Sequence, residues 1–575
     1  MNRSTSPLLK ANGLRPFGAF VLLFSLGFGF SQTATKPLST SSTITFENIQ
    51  PTSHVDFVLD NSNSPHKYQA ETMAGGVAVL DYDNDGLLDL FFTNGSQLPS
   101  MDKSDPKFHN RLYHNNGDGT FTDVTEKAGV QGSFYSIGVA VADYDNDGYP
   151  DLFVVGANGY QLFHNNGNGT FTDVTEQAGL RKAHPELAHG FAAAAGWFDY
   201  DNDGRLDLFV VNYLKWSPDK DVSCAVKGMK TYCSPDSYAG LPNLLFHNNG
   251  DGTFTDVSDS SGIIKYVGKG MGIAFADYDN DGFTDVFVSN DTFRNFLFHN
   301  NGDGTFTETG ILSGVAYNQY GKSFAGMGVD FRDIDNDGLP DIFETAMYGD
   351  TFPLYHNYGK GLFEDFNISS HLKALTSRIT AWGTGIYDFD NDGWKDLFTA
   401  NGAILDNSEA VNELPSRIPN SLFHNNGNGT FSDVTNLAGK SLSVAYAHRG
   451  AAFGDLNNDG RIDIVVNCLN AHPEILINRT ANVNHWLLLN LVGTKSNRDG
   501  LGTRIKLVAA SGTQYNHATT SVGYGSASDK RVHFGLGSAA KVDRLELTWP
   551  SGIKQVLKDI PGDQILTIRE SSNAH

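Results

Sequence analysis

The sequence predicts an all-β chain: a seven-bladed β-propeller with calcium-binding loops, followed by a small C-terminal β-sandwich-like domain. Three observations predict it. A nine-residue acidic motif recurs seven times at spacings of 55–78 residues. A His-Asn-Asn-Gly-x-Gly-Thr-Phe segment lies between most copies, and the chain is rich in Gly (62) and Phe (39) but holds only 7 Met. Repeats of this period mark solenoids and propellers, and the composition suits turn-rich β structure better than helices.

The 575 residues suffice for more than one domain. Acidic residues number 65 against 41 basic ones, a formal charge of −24, which argues against nucleic acid, whose binding usually rests on a basic face. Because 40% of residues are apolar and 18% charged, the acidity is not that of a disordered tail. Three cysteines are too few for a disulfide scaffold.

At the N-terminus, Arg3, Lys10 and Arg15 precede an apolar run over 17–30, followed by small and polar residues. This pattern predicts a cleavable signal peptide over 1–31 and a linker over 32–42. The run, about 14 residues, is shorter than the roughly 20 that span a bilayer, so no membrane span is expected after cleavage. The mature chain is expected to be exported, to the extracellular space, the periplasm or the cell surface.

The propeller is expected over 43–480. Each unit reads as four strands. An apolar, Gly-rich strand (138–142 in the second unit) enters the acidic loop, and a second (152–155) leaves it. A third ends in Leu-Phe-His-Asn. An Asn-Gly hairpin tolerant of positive φ then leads to Thr-Phe-Thr-Asp-Val, with alternating faces. One such sheet cannot bury both faces, whereas copies stacked around an axis can. The chain ends predict closure: 45–49 matches a fourth strand, and the last unit stops after a third strand at 474–478.

The acidic loops place Asp at positions 1, 3, 5 and 9 and Gly at 6. The ligand set is Asp81, Asp83, Asp85 and Asp89; Asp143, Asp145, Asp147 and Asp151; Asp199, Asp201, Asp203 and Asp207; Asp277, Asp279, Asp281 and Asp285. Asp333, Asp335, Asp337 and Asp341 follow, then Asp388, Asp390, Asp392 and Asp396, then Asp455, Asn457, Asp459 and Asp463. Clustered oxygens of this kind suit Ca²⁺, which takes 6–8 of them, with the carbonyl of position 7 among the donors. An EF-hand would need twelve positions ending in Glu, between helices. About seven Ca²⁺ sites are expected, the seventh weaker because Asn457 removes a charge. Without the 27 loop carboxylates the formal charge of −24 would become +3, so the net acidity belongs to the metal sites. The recurring His114, His164, His247, His299, His356 and His424 fall once per blade, too far apart for a shared zinc, and are assigned a structural role at the hairpins.

These tandem Asp-x-Asp-x-Asp-Gly-x-x-Asp loops with Asn-Gly-Asp-Gly-Thr-Phe hairpins resemble the FG-GAP/VCBS repeats of integrin-α-type propellers. Downstream, Asn497-Arg498-Asp499-Gly500, His533-Phe534-Gly535-Leu536-Gly537 and Thr548-Trp549-Pro550-Ser551-Gly552 resemble the ASPIC/UnbV domain, expected here over 481–570 with a tail at 571–575. The pairing is similar to the cartilage acidic protein family, and it implies an extracellular calcium-binding propeller. In the C-terminal domain, strands are expected at 485–492, 503–508, 531–534, 543–548 and 564–568, and Gly523-Tyr524-Gly525 is read as a turn.

Strand alternation puts the acidic loops and hairpins on one rim and the long insertions on the other, where recognition usually sits. Lys182, Lys269, Lys322, Arg378 and Arg449, with His189, His448 and Asn290, precede or flank inner strands on that second rim. They predict a basic channel mouth for an anionic ligand. Asp291 and Glu344 break the repeat after second strands. Cys224 and Cys233 are expected to form a disulfide, and Cys468 a buried thiol on a strand. No HExxH, GxSxG, P-loop or CxxC motif occurs. The reading is therefore a secreted recognition or adhesion module for a glycan or protein ligand. The alternative is a calcium-dependent lyase- or isomerase-type enzyme at the channel mouth.

Overall fold

A computed structural model describes residues 44–188, 190–481 and 483–572. The signal-peptide expectation, the linker before residue 44 and His189 lie outside the described residues. Among the described residues, seven four-stranded antiparallel sheets repeat the same order. The first is Val77–Leu80, Asp89–Phe92, Arg111–Asn115 and Phe121–Asp123. The second and third join through a single Phe191–Ala157 pair. The first strand of each sheet packs on that of the next, and His448–Gly454 packs back on Val77–Leu80, so the arrangement is a propeller-like ring.

The seventh sheet is completed by the chain's beginning. Phe46–Asn48 pairs antiparallel with Glu474–Asn478, with Phe46 opposite Asn478 and Asn48 opposite Leu476. The sheets press together through aromatic side chains: Phe198 stacks on Phe275 (4.6 Å between centroids), Tyr387 on Phe453 (4.8 Å) and Tyr144 on Trp197 (5.8 Å). Such pairs add to the burial of apolar area between faces. One-turn helices such as Thr125–Ala128, stopped by the left-handed Gly129, follow several fourth strands. Among the described residues, no helix is long and apolar enough to cross a membrane.

Two sets of asparagines stitch the ring. At position 4 of the acidic loops, Asn84, Asn146, Asn202, Asn280, Asn336, Asn391 and Asn458 take positive φ. Each donates its amide to the position-6 glycine carbonyl of the next loop, as Asn146 does to Gly204 (3.1 Å) and Asn391 to Gly460 (3.1 Å). The series closes at Asn458 to Gly86, 2.9 Å. The last asparagine of each third strand binds two carbonyls, one in its own loop and one in the preceding sheet's loop. Asn165, for example, donates to Pro150 and to Tyr82. This series closes at Asn115, on Leu88 and Leu456.

The C-terminal residues form a three-stranded sheet (Val532–Gly537, His485–Val492, Gln564–Arg569) and a four-stranded one (Gly512–His517, Arg504–Ala509, Lys541–Thr548, Lys554–Pro561). The strands Gly512–His517 and Lys554–Pro561 were not expected from the sequence. One compact unit spans 42–575, because the connection 518–531 runs down the axis of the ring. The expected turn at Gly523-Tyr524-Gly525 is instead an inserted segment. Val139 N–H donates to Gly525 O (3.0 Å), Gly523 N–H to Val329 O (2.8 Å) and Ala527 N–H to Val77 O (3.0 Å). The first strands are inner edges, and their free N–H and C=O groups need partners once buried. The segment supplies them. Close approach demands glycine: a Cβ on Gly138 would sit 2.6 Å from Ala193 O and 3.1 Å from Gly525 Cα.

Two outcomes follow from this ring. Asn391→Gly keeps the positive φ and removes only the inter-loop amide, which costs about 1–2 kcal/mol by denaturant titration. Tyr524→Ala empties the fully buried axial position and costs about 3–5 kcal/mol. A value near zero for either variant would show that the ring does not depend on that group.

Candidate functional site

The acidic loops share one local geometry. In the first, Asp81 Oδ1 accepts from Asp85 N–H and Oδ2 from Gly86 N–H, each at 3.0 Å. Asp89 accepts from Asn115 N–H (2.8 Å) and Tyr82 N–H (3.1 Å). Backbone donors thus anchor positions 1 and 9 and point the remaining lone pairs inward. Burial, with neighbouring carboxylates adding to it, pushes Asp89 up to about 9 and Asp199 to about 8. Burial raises Asp151, Asp207 and Asp285 to about 7, against their hydrogen bonds to histidine. At position 3, Oδ1 of Asp83, Asp201 and Asp279 is buried without a hydrogen-bond partner. Orphaned carboxylate oxygens beside further carboxylates fit a hard divalent cation bound through oxygen, the donor set of Ca²⁺.

The hairpin histidines stand closer to this chemistry than their sequence positions suggest. His114 Nδ1 lies 3.4 Å from Asp83 and 3.3 Å from Asp89. His164, His247, His299 and His356 meet positions 3 and 9 of their own loops in the same way, and His424 meets Asp396 at 2.9 Å. The hydrogen bond to Asp285 raises His299 to about 8. The loop carboxylates likewise raise His164, His247, His356 and His424, so these imidazoles are local counter-charges to their loops. Loop seven has Ile477 in place of this histidine and uses arginines: Arg461 pairs with Asp459, and Arg531 donates to Asn458 Oδ1 (2.9 Å) and Asp455 O (3.1 Å).

The C-terminal domain rests on this rim. Arg504 reaches Asp277 (2.7 Å) and Asn280 (2.9 Å). Asp499 accepts from Asp143 N–H (2.8 Å), and Arg498 N–H donates to Asn146 (2.7 Å). The opposite rim is open. A cavity of about 540 Å³ lies there, with Met73, Met271, Met327 and Trp382 among its lining residues. The same four residues pack with Tyr524 in one core cluster, and the Trp382 and Tyr524 rings are 5.1 Å apart. The insertions build its sides: the disulfide-closed hairpin Cys224–Cys233 (Cα–Cα 5.2 Å) with Val226 and Tyr232, and the segment 403–418 with Ile404 and Leu414.

Of the sequence-predicted ligand residues, Asp291 and Arg378 line this cavity. Asp291 accepts from Tyr213 O–H (2.7 Å), and burial pushes it up to about 6. The remainder of the basic mouth is a correction. Arg449 is buried under Trp382, 4.0 Å from the ring, and donates to Thr72 O and His448 O, both at 2.8 Å. Lys269 is paired with Asp236 (2.9 Å), and Asn290 is buried against Lys269 N–H and Arg294 O. Lys182 and Lys322 are exposed away from the lining, and His448 is fully buried against Glu474. Glu344 is buried too, accepting from Asn295 at 2.6 Å. Sequence reasoning missed the methionines. Four of the chain's seven line the cavity, and that clustering, two of them in Gly-Met-Gly at 270–272 and 326–328, was the available signal.

The raised aspartates fix the pH dependence of the metal-free chain. A carboxyl whose folded pKa exceeds its unfolded one stabilises the fold fully below the unfolded value and loses that contribution as pH rises through the folded value. With Asp151, Asp207 and Asp285 near 7, chelated protein melts higher at pH 5 than at pH 8. Millimolar calcium removes or reverses that difference, and a calcium-independent melt at pH 8 would refute metal binding by the loops. Differential scanning fluorimetry at four pH values decides it.

Comparison with known proteins agrees with this anatomy. The FG-GAP-like repeat family model matches 81–154, 143–210, 233–288, 277–344 and 388–466, and the ASPIC and UnbV model matches 493–575. Cartilage acidic protein 1 of Homo sapiens is 24% identical over 535 residues, covering 89% of this chain and 74% of its own. The Xenopus tropicalis protein is 25% identical over 507 residues, covering 83% and 70%. Among solved structures, an Agrocybe aegerita lectin recognising non-reducing terminal N-acetylglucosamine is 16% identical with a TM-score of 0.37, covering 64% of this chain and 84% of its own. The acidic loops, the hairpins and the C-terminal segment lying on them place the chain in the FG-GAP-like repeat family, with an ASPIC and UnbV domain at its C-terminus.

Proposed function

We propose that the chain is an exported, calcium-stapled recognition module whose ligand, a glycan or a protein segment, seats in the cavity on the rim opposite the acidic loops. The observation that carries this reading is the asymmetry of the axis. One end is covered by the C-terminal domain and filled by 518–531, while the other opens into about 540 Å³ lined by insertion loops. That volume falls within the range of about 300–1,000 Å³ typical of ligand sites. Its lining holds one carboxylate, Asp291, and one guanidinium, Arg378, among mostly apolar and aromatic side chains. It thus favours a ligand with an apolar body and a single anionic group for Arg378, rather than a polyanion.

Calcium, when bound, supplies charge neutralisation and a cross-link within each loop. The aspartates of positions 1, 3, 5 and 9 would hold it, with the hairpin histidine beside them. Extracellular calcium modules bind at roughly 10⁻⁴–10⁻³ M, which suits an exported staple. Export is supported by the basic and apolar N-terminal pattern and by the Cys224–Cys233 disulfide. The enzyme reading rests on Asp291 with Tyr213. A lyase or isomerase would need a general base here, and Asp291 is the one carboxyl in the lining; the mostly apolar and aromatic remainder favours binding.

The test is a glycan and peptide array on calcium-loaded protein, followed by calorimetry on the hits. Arg378→Ala and Asp291→Asn are each expected to weaken binding about tenfold or more, and Lys322→Ala to leave it unchanged. Hits whose affinity ignores both cavity variants would move the ligand site elsewhere.

A further inference from the structure

His448, Cys468 and Glu474 meet at the end of the seventh sheet that lies away from its acidic loop. His448 opens the first strand and pairs in register with Cys468, which ends the second; Glu474 opens the third, opposite Val466. All three are 1% exposed or less, and one donor atom from each lies within 4.8 Å of the others. His448 Nδ1 is 2.6 Å from Asn401 O, and Nε2 is 2.9 Å from Glu474 Oε2. Glu474 Oε2 also accepts from Asn420 (2.7 Å), whereas Oε1 is buried without a hydrogen-bond partner. Cys468 Sγ has a weak contact to Val466 O (3.8 Å) and accepts from the Glu474 backbone N–H.

The repeat supplies its own control. Seven residues before the first loop aspartate, the other six units carry Ala, Ser or Gly, as at Ala74 and Gly326. Where this sheet has Cys468, four units carry an asparagine such as Asn212 or Asn401. At the position of Glu474, no other unit carries an acid. The fold is built six times without these side chains, and three metal-ligating types replace the ordinary residues together in one sheet.

We propose that this cluster is a structural site for a thiophilic divalent cation, zinc in the first place. Its ligands would be His448 Nε2, the Cys468 thiolate and the Glu474 carboxylate. Nitrogen, sulfur and oxygen donors suit zinc, with both Glu474 oxygens counted toward four-coordination, and the thiolate separates this site from the carboxylate-rich calcium loops. The Asn401 carbonyl takes the Nδ1 proton and leaves the Nε2 lone pair toward the cluster, the usual support for a ligating histidine. Asn420 orients the carboxylate in the same manner. One thiolate and one carboxylate balance the two charges of the ion, so the complex is neutral where it is buried. The ion takes the place of the His448–Glu474 hydrogen bond, and Glu474 Oε1 becomes a donor.

The test uses the full chain purified from zinc-supplemented cultures, dialysed with saturating calcium so that the acidic loops are occupied, and analysed by elemental mass spectrometry. One zinc per chain is expected. Cobalt exchanged into the site is expected to give a thiolate-to-cobalt charge-transfer band. Cys468 is the one free thiol, since Cys224 and Cys233 are joined, so the band on the unaltered protein identifies the ligand. Cys468→Ser should lose the band, and Glu474→Gln should weaken zinc binding by more than about tenfold. Protein without zinc, a cobalt spectrum lacking the band, or zinc fully retained by Cys468→Ser overturns the proposal and leaves a plain His–Glu contact.

Discussion

The fourth residue of every acidic loop must turn through positive φ, and asparagine both tolerates that backbone and carries an amide that reaches the next loop. Glycine would satisfy the first requirement and fail the second; glutamine would do the reverse. Each link is an ordinary hydrogen bond, modest on its own, but the seven run head to tail and the last returns to Gly86. The third-strand asparagines add a second closed series one layer deeper. Together with the Phe46–Asn48 strand they fix the angular step between sheets. Everything placed on either rim inherits its position from that step.

A ring held this way concentrates like charge on one face, and the structure sets basic side chains against it. Histidines sit beside positions 3 and 9 of their loops, arginines of the C-terminal domain reach loops from above, and the orphaned oxygens leave room for a metal. The inner strand edges pose a separate problem of unpaired backbone groups, and the axial segment resolves it. The C-terminal domain thus covers the charged rim and completes the sheets from within. A detached module could do neither.

Much of this was legible in the sequence because it repeats. The loop spacing, the four-strand order and the complementary phases of the chain's two ends are periodic facts, and strand 485–492 was bounded correctly because its apolar alternation is strong. The axial segment was not legible. Gly523-Tyr524-Gly525 has the composition of a turn, and only the proximity of strands hundreds of residues away makes it an edge partner. Arg449 misled for a related reason. A cation at the start of an inner strand reads as facing water, but the adjacent Trp382 and the carbonyls of Thr72 and His448 form a buried seat for a guanidinium. Burial of this kind is set by neighbours in space, which no single-sequence pattern encodes.

Repetition also tells where function can be sought. A residue type present in every unit answers a need of the fold, as the loop aspartates and asparagines do. Six residues before each loop the chain faces the axis, and there the units diverge: Gly75, Ile137, Ala193, Met271, Met327, Trp382 and Arg449. Only Met271, Met327 and Trp382 of these line the cavity, so the ring is symmetric in its backbone and asymmetric in the surface it presents. Methionine and tryptophan bring adaptable, polarisable area, and Asp291 and Arg378 give that area two fixed polar points. Hydrogen-bonded closure at the acidic rim is therefore what frees the opposite rim to vary. The same rigid step that equalises seven loops lets Met271, Met327 and Trp382 converge on one ligand-sized space.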